Sequence, residues 1–326
     1  MINKKTISFL LKIIIVFTCL YFLYNQISSR ILLDQFNYND ILYNINQNYL
    51  LIVLVAIMMF SNWIIEAFKW RFLIRKIEYI SLLRSVKAVF SGITVSIFTP
   101  NRIGEYGGRV FCLEEGDRIQ AVLITIIGSV SQFIITFLLG SLGLSSCLFI
   151  YPEVRSFFYL NESHIIYIMI FLLFLNILFI LCFLNFSLLS KFISRKKFLT
   201  RFSKYSIVFS FYSNKDLLLV LSLSLFRYIV FSLQYFLLFF VFDVGLNYFE
   251  AIILIPTMFF LVSIIPSIAI TDISVRSSVA LLLFGLATDN IFAILSTTFL
   301  IWIINLIIPA LIGTIFIFTL KFFRTS

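Results

Sequence analysis

The sequence predicts an all-α polytopic membrane protein, with about six full transmembrane helices plus two re-entrant helical hairpins in an inverted-repeat arrangement, N-in and C-in. Three observations carry this expectation. Only 12% of the 326 residues are charged while 61% are hydrophobic, against about 25% and 45–50% in soluble domains. So little charge cannot coat a water-soluble globule, and the same figures exclude a disordered chain. Apolar runs recur at bilayer length, about 20 residues. Two apolar regions break at charged, proline-containing segments about halfway across a bilayer.

The first run, residues 7–27, follows Lys4 and Lys5. It is too long for a signal core and no A-x-A-like site follows at Asn25–Arg30, so an uncleaved span is expected. Further full spans are expected at 49–68, 121–150, 164–185, 217–240 and 291–320. A first hairpin occupies 88–118, where apolar residues 88–98 run into TPNRIGEYGGR at 99–109. A second occupies 251–287, where residues 251–265 run into PSIAITDISVR at 266–276 and a short apolar piece follows. Each arm has about 11–15 residues, half a bilayer. Irregular backbone at that depth survives only when buried in protein or lining a wet cavity. Residues 1–326 read as a single integral membrane domain. Its first half is 1–150, its basic cytoplasmic loop 186–216 and its second half 217–326.

The net charge of +10 fits cytoplasmic loops beside anionic headgroups rather than nucleic acid. With the N-terminus inside and both hairpins returning to their side of entry, 21 of the 25 Lys and Arg fall on cytoplasmic segments. That count includes the stretch Lys69 to Lys87 and Arg102, Arg109 and Arg118. A full crossing by the first hairpin would force the basic 191–215 stretch outside, against the positive-inside rule.

The hairpins echo each other. Pro100 precedes Glu105 and Arg109, and Pro266 precedes Asp272 and Arg276, with four residues from acid to arginine in both. Paired broken helices mark the binding site in transporters built from inverted repeats. Two unrelated loops, each with its own i,i+4 ion pair, would give the same pattern. Arg227 sits mid-span, where an arginine costs about 2.5–3.5 kcal/mol on insertion scales and needs a partner. Asp272, Glu105 or an anionic substrate are the candidates. Gln234 lies two turns further along roughly the same face. Glu66, in NWIIEAFKWR, either pairs with Lys69 and snorkels or serves the path. Gln132 and Asn305 suit interhelical hydrogen bonding, and Trp63 and Trp70 suit interface or core. Gly104, Gly107 and Gly108 would allow left-handed backbone, and their amides could hold an anion between Arg102 and Arg109. Arginine matches phosphate bidentately.

No cofactor is expected. The four cysteines form no C-x-x-C pair and the one histidine, His164, makes no metal site. A Walker loop, G-x-S-x-G and H-E-x-x-H are all missing, so the chain is not expected to be an enzyme.

NWIIEAFKWR at 62–71, TPNRIGEYGGR at 99–109, GSVSQFIITFLLGSLGL at 128–144, FRYIVFSLQY at 226–235 and IWIINLIIPALIG at 301–313 resemble the lysylphosphatidylglycerol synthase transmembrane-region family. The resemblance spans nearly the whole chain and is most specific at 99–109. In bifunctional relatives this region is joined to a soluble aminoacyl-transferase domain and moves the modified lipid across the bilayer. The chain ends six residues after its last expected span, so the resemblance implies lipid translocation without aminoacyl transfer. One departure bears on the headgroup. Many members have a glycine-rich second hairpin, whereas residues 266–277 contain no glycine and Ser274 takes a glycine-like place.

The expectation is therefore a flippase-like protein of the cytoplasmic membrane that moves an anionic phospholipid or lipid-linked intermediate. Arg102, Arg109, Arg227 and Arg276 would hold phosphate. Glu105, Asp272 and Glu66 would hold the arginines, and Pro100, Pro266 and the three glycines would shape the hairpins. Two other readings stand beside it. One is a secondary transporter of a small anion or amino acid. The other is a non-transporting partner that anchors a lipid-modifying enzyme or glycosyltransferase through the basic loop. A homo-oligomer is compatible with each, and nucleic acid is expected in none.

Overall fold

The computed structural model describes residues 10, 21, 38–97, 99, 102–157, 159, 161–187, 205–265 and 269–318. Apart from Leu10 and Tyr21, the expected first span lies outside the described residues, as do Pro100, Pro266 and most of the basic loop. The described residues are helical, without a strand.

A short helix, α1 (Tyr38–Gln47), leads into α2 (Tyr49–Ile74). A pair of shorter helices follows, α3 (Leu82–Ser96) and α4 (Gly104–Val110), and then α5 (Arg118–Ile150). The turn helix α6 (Pro152–Phe157) connects to α7 (Glu162–Leu184). The second half contains α8 (Asn214–Val241), the pair α9 (Tyr248–Ile264) and α10 (Ala269–Phe284), and α11 (Ile291–Trp302). A π-helical turn, Ile303–Ile307, joins α11 to α12 (Ile308–Ile317). Pro309 has no amide to donate to the carbonyl one turn back, which accounts for the widened turn.

Five helical runs are long and apolar enough to cross a membrane: α2, α5, α7, α8 and the continuous 291–317. They coincide with five of the expected spans. Polar caps fix their starts. Asp117 accepts from the amides of Ile119 and Gln120 at α5, and Ser213 and Asp216 form a capping box at α8. On α7, Ile170, Phe171, Phe174 and Ile177 are exposed while Leu172, Asn176 and Phe183 are buried against the bundle, so this helix turns a broad apolar face outward, as a lipid-facing helix does.

Each helix pair folds back on itself. In the first, Gly104 lies against Val95, Gly108 against Gly92, and Arg84 donates twice to the Cys112 carbonyl at 2.9 and 2.6 Å. Partners thus run backwards along α3 as the chain runs forwards. In the second, Asn290 Nδ2 donates to the Asp243 carbonyl at 3.3 Å, so the chain leaves α10 close to where it entered α9.

The two halves exchange contacts. Helices α2 and α8, each preceding a pair, run antiparallel, since Lys69 meets Ser224, Glu66 meets Arg227 and Val55 meets Gln234. Helix α3 packs on α12, which follows the second pair, with Gly313 pressed on Phe90 and Thr94 Oγ1 donating to the Ala310 carbonyl at 2.8 Å. Helix α9 packs on α5, which follows the first pair. There Gly143 lies against Ile253 and Thr257, and Gly140 against Pro256 and Phe260. Glycine permits this close backbone approach in both places.

The charge tally needs one correction. Lys69 and Arg109, counted as loop charges, are buried in the bundle, whereas Arg102 is exposed. Lys69 and Arg109 are held by carboxylates, so they do not report which side a loop lies on.

Candidate functional site

Helix α2 carries Asn62, Glu66 and Lys69 at spacings of four and three, which places them on one face. Helix α2 packs on α8, α3 and α5, Arg109 reaches this face from α4, and all three side chains are buried. Glu66 is the hub. Its Oε1 accepts from Arg109 Nη1 at 2.8 Å, and its Oε2 accepts from Lys69 Nζ at 2.9 Å and from Arg227 Nη1. Lys69 Nζ also donates to the Gly128 carbonyl at 3.1 Å and to Ser224 Oγ at 3.2 Å. Arg227 Nε donates to Asn62 Oδ1 at 2.9 Å, and its guanidinium carbon stands 5.2 Å from the Trp63 ring centroid. Arg109 also pairs with Glu105. One carboxylate thus ties α2, α4 and α8 together.

Beside this network lies a cavity of about 520 Å³ lined from both halves. Arg102 and Thr99 reach it from the first pair, Asp272 and Arg276 from the second, and Arg227 from α8. Arg276 Nε donates to Asp272 Oδ2 at 2.8 Å. The Arg102 guanidinium makes no hydrogen bond or ion pair among the described residues, and Asp272 and Glu105 are the carboxylates acting on it. Four buried polar atoms of lining residues also lack a hydrogen-bond partner among the described residues: Trp63 Nε1, Tyr228 Oη, Trp302 Nε1 and Asn305 Oδ1. Asn305 belongs to the π-helical turn.

Arg102, Arg227, Asp272 and Arg276, separated by as many as 174 positions in the chain, line one space. Glu66, Glu105 and Arg109 stand behind it as the network holding Arg227 and the first pair. Gln234 is elsewhere: its amide donates to the Val55 carbonyl at 2.9 Å, and it does not line the cavity. Arg227 has Glu66 as its carboxylate partner, not Glu105 or Asp272.

The glycine expectation is corrected. Gly104, Gly107 and Gly108 lie within α4 and none has positive φ. Helical hydrogen bonding engages this backbone, and the Gly104 amide donates to Thr99 Oγ1 at 2.7 Å, so no open amide cradle forms. Gly104 and Gly108 instead allow contact with α3: a Cβ at Gly108 would stand 2.6 Å from the Gly92 Cα. The left-handed residue is Arg102, with φ of 59°, an uncommon conformation for a residue with a Cβ.

Lys69, Asn62 and Ser224 escaped sequence reading as site residues. The i,i+3 spacing of Glu66 and Lys69 was visible, but nothing local indicated that both would be buried. Gln132, read as interhelical, lines the cavity, with Oε1 3.5 Å from Arg227 Nη1.

The lysylphosphatidylglycerol synthase TM region matches residues 9–313. No curated protein and no solved structure matches the chain. Because that match covers most of the sequence and includes both helix pairs and the Glu66 network, the chain belongs to the lysylphosphatidylglycerol synthase transmembrane-region family.

Proposed function

We propose that this protein carries the headgroup of an anionic lipid across the cytoplasmic membrane through the cavity between the two helix pairs. In this reading the pairs are re-entrant hairpins related by an inverted repeat, which the exchanged contacts of the two halves support. One observation carries the proposal: Arg102, Arg227 and Arg276, drawn from the first hairpin, α8 and the second hairpin, line the same cavity. Guanidinium groups converging from three elements suit a phosphate, which accepts paired N–H donors from several directions. The cavity lies within the usual range of about 300–1,000 Å³ for small-molecule sites. It suits a headgroup and not two acyl chains, each reaching about 15 Å to the bilayer midplane, so the chains stay in lipid. Glu66 holds Arg227 while the cavity is empty, and Asp272 does the same for Arg276. No chemical step is assigned to the chain.

Proteoliposomes containing fluorescent phosphatidylglycerol test the reading, with dithionite reporting which leaflet holds the label. The wild-type protein should equilibrate the leaflets, and Arg102→Ala and Arg227→Ala should slow this at least tenfold, about 1.4 kcal/mol in the barrier. Normal rates in both variants, each inserted and folded, would overturn it.

A further inference from the structure

We infer that the cavity selects a headgroup whose phosphate carries two negative charges, a phosphate monoester or a diphosphate, over a singly charged phosphodiester. The inference rests on the lipid-carrier reading and names the charge class of its cargo.

The argument is a charge balance inside the bundle. The network and cavity together hold five cations: Lys69, Arg102, Arg109, Arg227 and Arg276. Against them stand three carboxylates, Glu66, Glu105 and Asp272. Two positive charges are left over among the described residues, and the cavity cations are open to a ligand, with Arg102 exposed and Arg227 and Arg276 half-buried. The excess sits where a ligand can reach it. Lys69 and Arg109 are nearly inaccessible, and both are engaged by carboxylates. Arg102, which makes no hydrogen bond or ion pair among the described residues, lines the cavity, as do Arg227 and Arg276. Arg227 shares the Glu66 carboxylate with two other cations. A phosphodiester would neutralise one of the two charges, and a phosphate monoester or diphosphate would neutralise both.

The test uses the full chain in phosphatidylcholine nanodiscs, with tryptophan fluorescence as readout because Trp63 and Trp302 line the cavity. The probes are dioleoyl phosphatidic acid, dioleoyl phosphatidylglycerol, farnesyl diphosphate and inorganic pyrophosphate. At pH 7, phosphatidic acid should bind about tenfold tighter than phosphatidylglycerol, the worth of one further charge-assisted hydrogen bond. The second ionisation of a phosphate monoester lies near pH 6. At pH 5 phosphatidic acid should therefore lose its advantage, while farnesyl diphosphate, which keeps two charges, should retain it. No histidine lines the cavity to titrate in that range. Arg102→Gln removes one surplus charge without breaking a hydrogen bond or ion pair among the described residues and should narrow the preference at pH 7, as should Arg276→Gln. Equal affinity for the two dioleoyl lipids at pH 7 would overturn the inference and leave the lipid reading standing. Binding of pyrophosphate without either lipid would keep the charge rule and overturn the lipid reading. Binding of none of the four would overturn both.

Discussion

Glu66 faces three cations with two oxygens, and that ratio makes it the most sensitive single residue of the bundle. Removing one partner of a buried ion pair costs about 3–5 kcal/mol because the other charge stays behind. Glu66→Gln should therefore lower the thermal midpoint in detergent more than any single cation substitution. Adding Arg227→Gln to it should recover part of the loss, since the pair is then removed together. The sequence spacing allowed a local Glu66–Lys69 pair. That this carboxylate also serves Arg109 and Arg227, 43 and 161 positions away, depends on how α4 and α8 pack on α2. No local pattern encodes that packing.

Among the elements, glycines separate packing from propensity. Gly143 on α5 has no room: a Cβ there would stand 2.8 Å from the Ile253 carbonyl of α9. Gly107 on α4 meets only the Phe111 ring, at 3.9 Å. Gly143→Ala should destabilise by about 1–3 kcal/mol through overpacking. Gly107→Ala should stabilise by up to about 1 kcal/mol through helix propensity. Thermal unfolding of the two variants checks the opposite signs. The connection from α2 to α3 supplies a pH effect. Burial raises the pKa of Glu78, but the amides of Gly116, Glu114 and Glu115 and the charge of Arg84 outweigh it and hold the carboxyl below its ordinary value of 4.5. The unfolded chain therefore binds more protons in that window, so stability is present above about pH 4.5 and falls as pH drops below it. Glu78→Gln should flatten this acid limb of the stability profile, measured as midpoint against pH between 6 and 3.

At the scale of the whole molecule, the returning helix pairs make a topological prediction. In a cysteine-free background, Tyr79→Cys and Glu115→Cys flank the first pair, and Asp243→Cys and Asp289→Cys flank the second. With re-entrant hairpins, a membrane-impermeant maleimide should label the first two from one side and the last two from the other. Labelling of positions 79 and 115 from opposite sides would mean that the first pair crosses. The exchanged contacts, α2 with α8, α3 with α12 and α9 with α5, favour the first outcome because they relate an inverted pair of units.

The amino-acid sequence by itself determined the membrane class, five described spans within a few residues and the two broken regions with their acid–arginine pairs. These follow from hydropathy, bilayer thickness and i,i+4 geometry, which act over a single helix. It also pointed to Arg227, because charge within an apolar run is costly wherever the fold places it, and to Arg102, Asp272 and Arg276 through the two broken regions. Only the tertiary structure decided that Glu66 is the common anchor, that Gln234 serves packing and that the hairpin glycines admit a neighbouring helix instead of an anion. It also brought Trp63, Tyr228, Trp302 and Asn305 around the arginine-lined cavity. The physical reason is one of range: those roles depend on which helix faces meet, and contacts between distant segments set that, not the local chain.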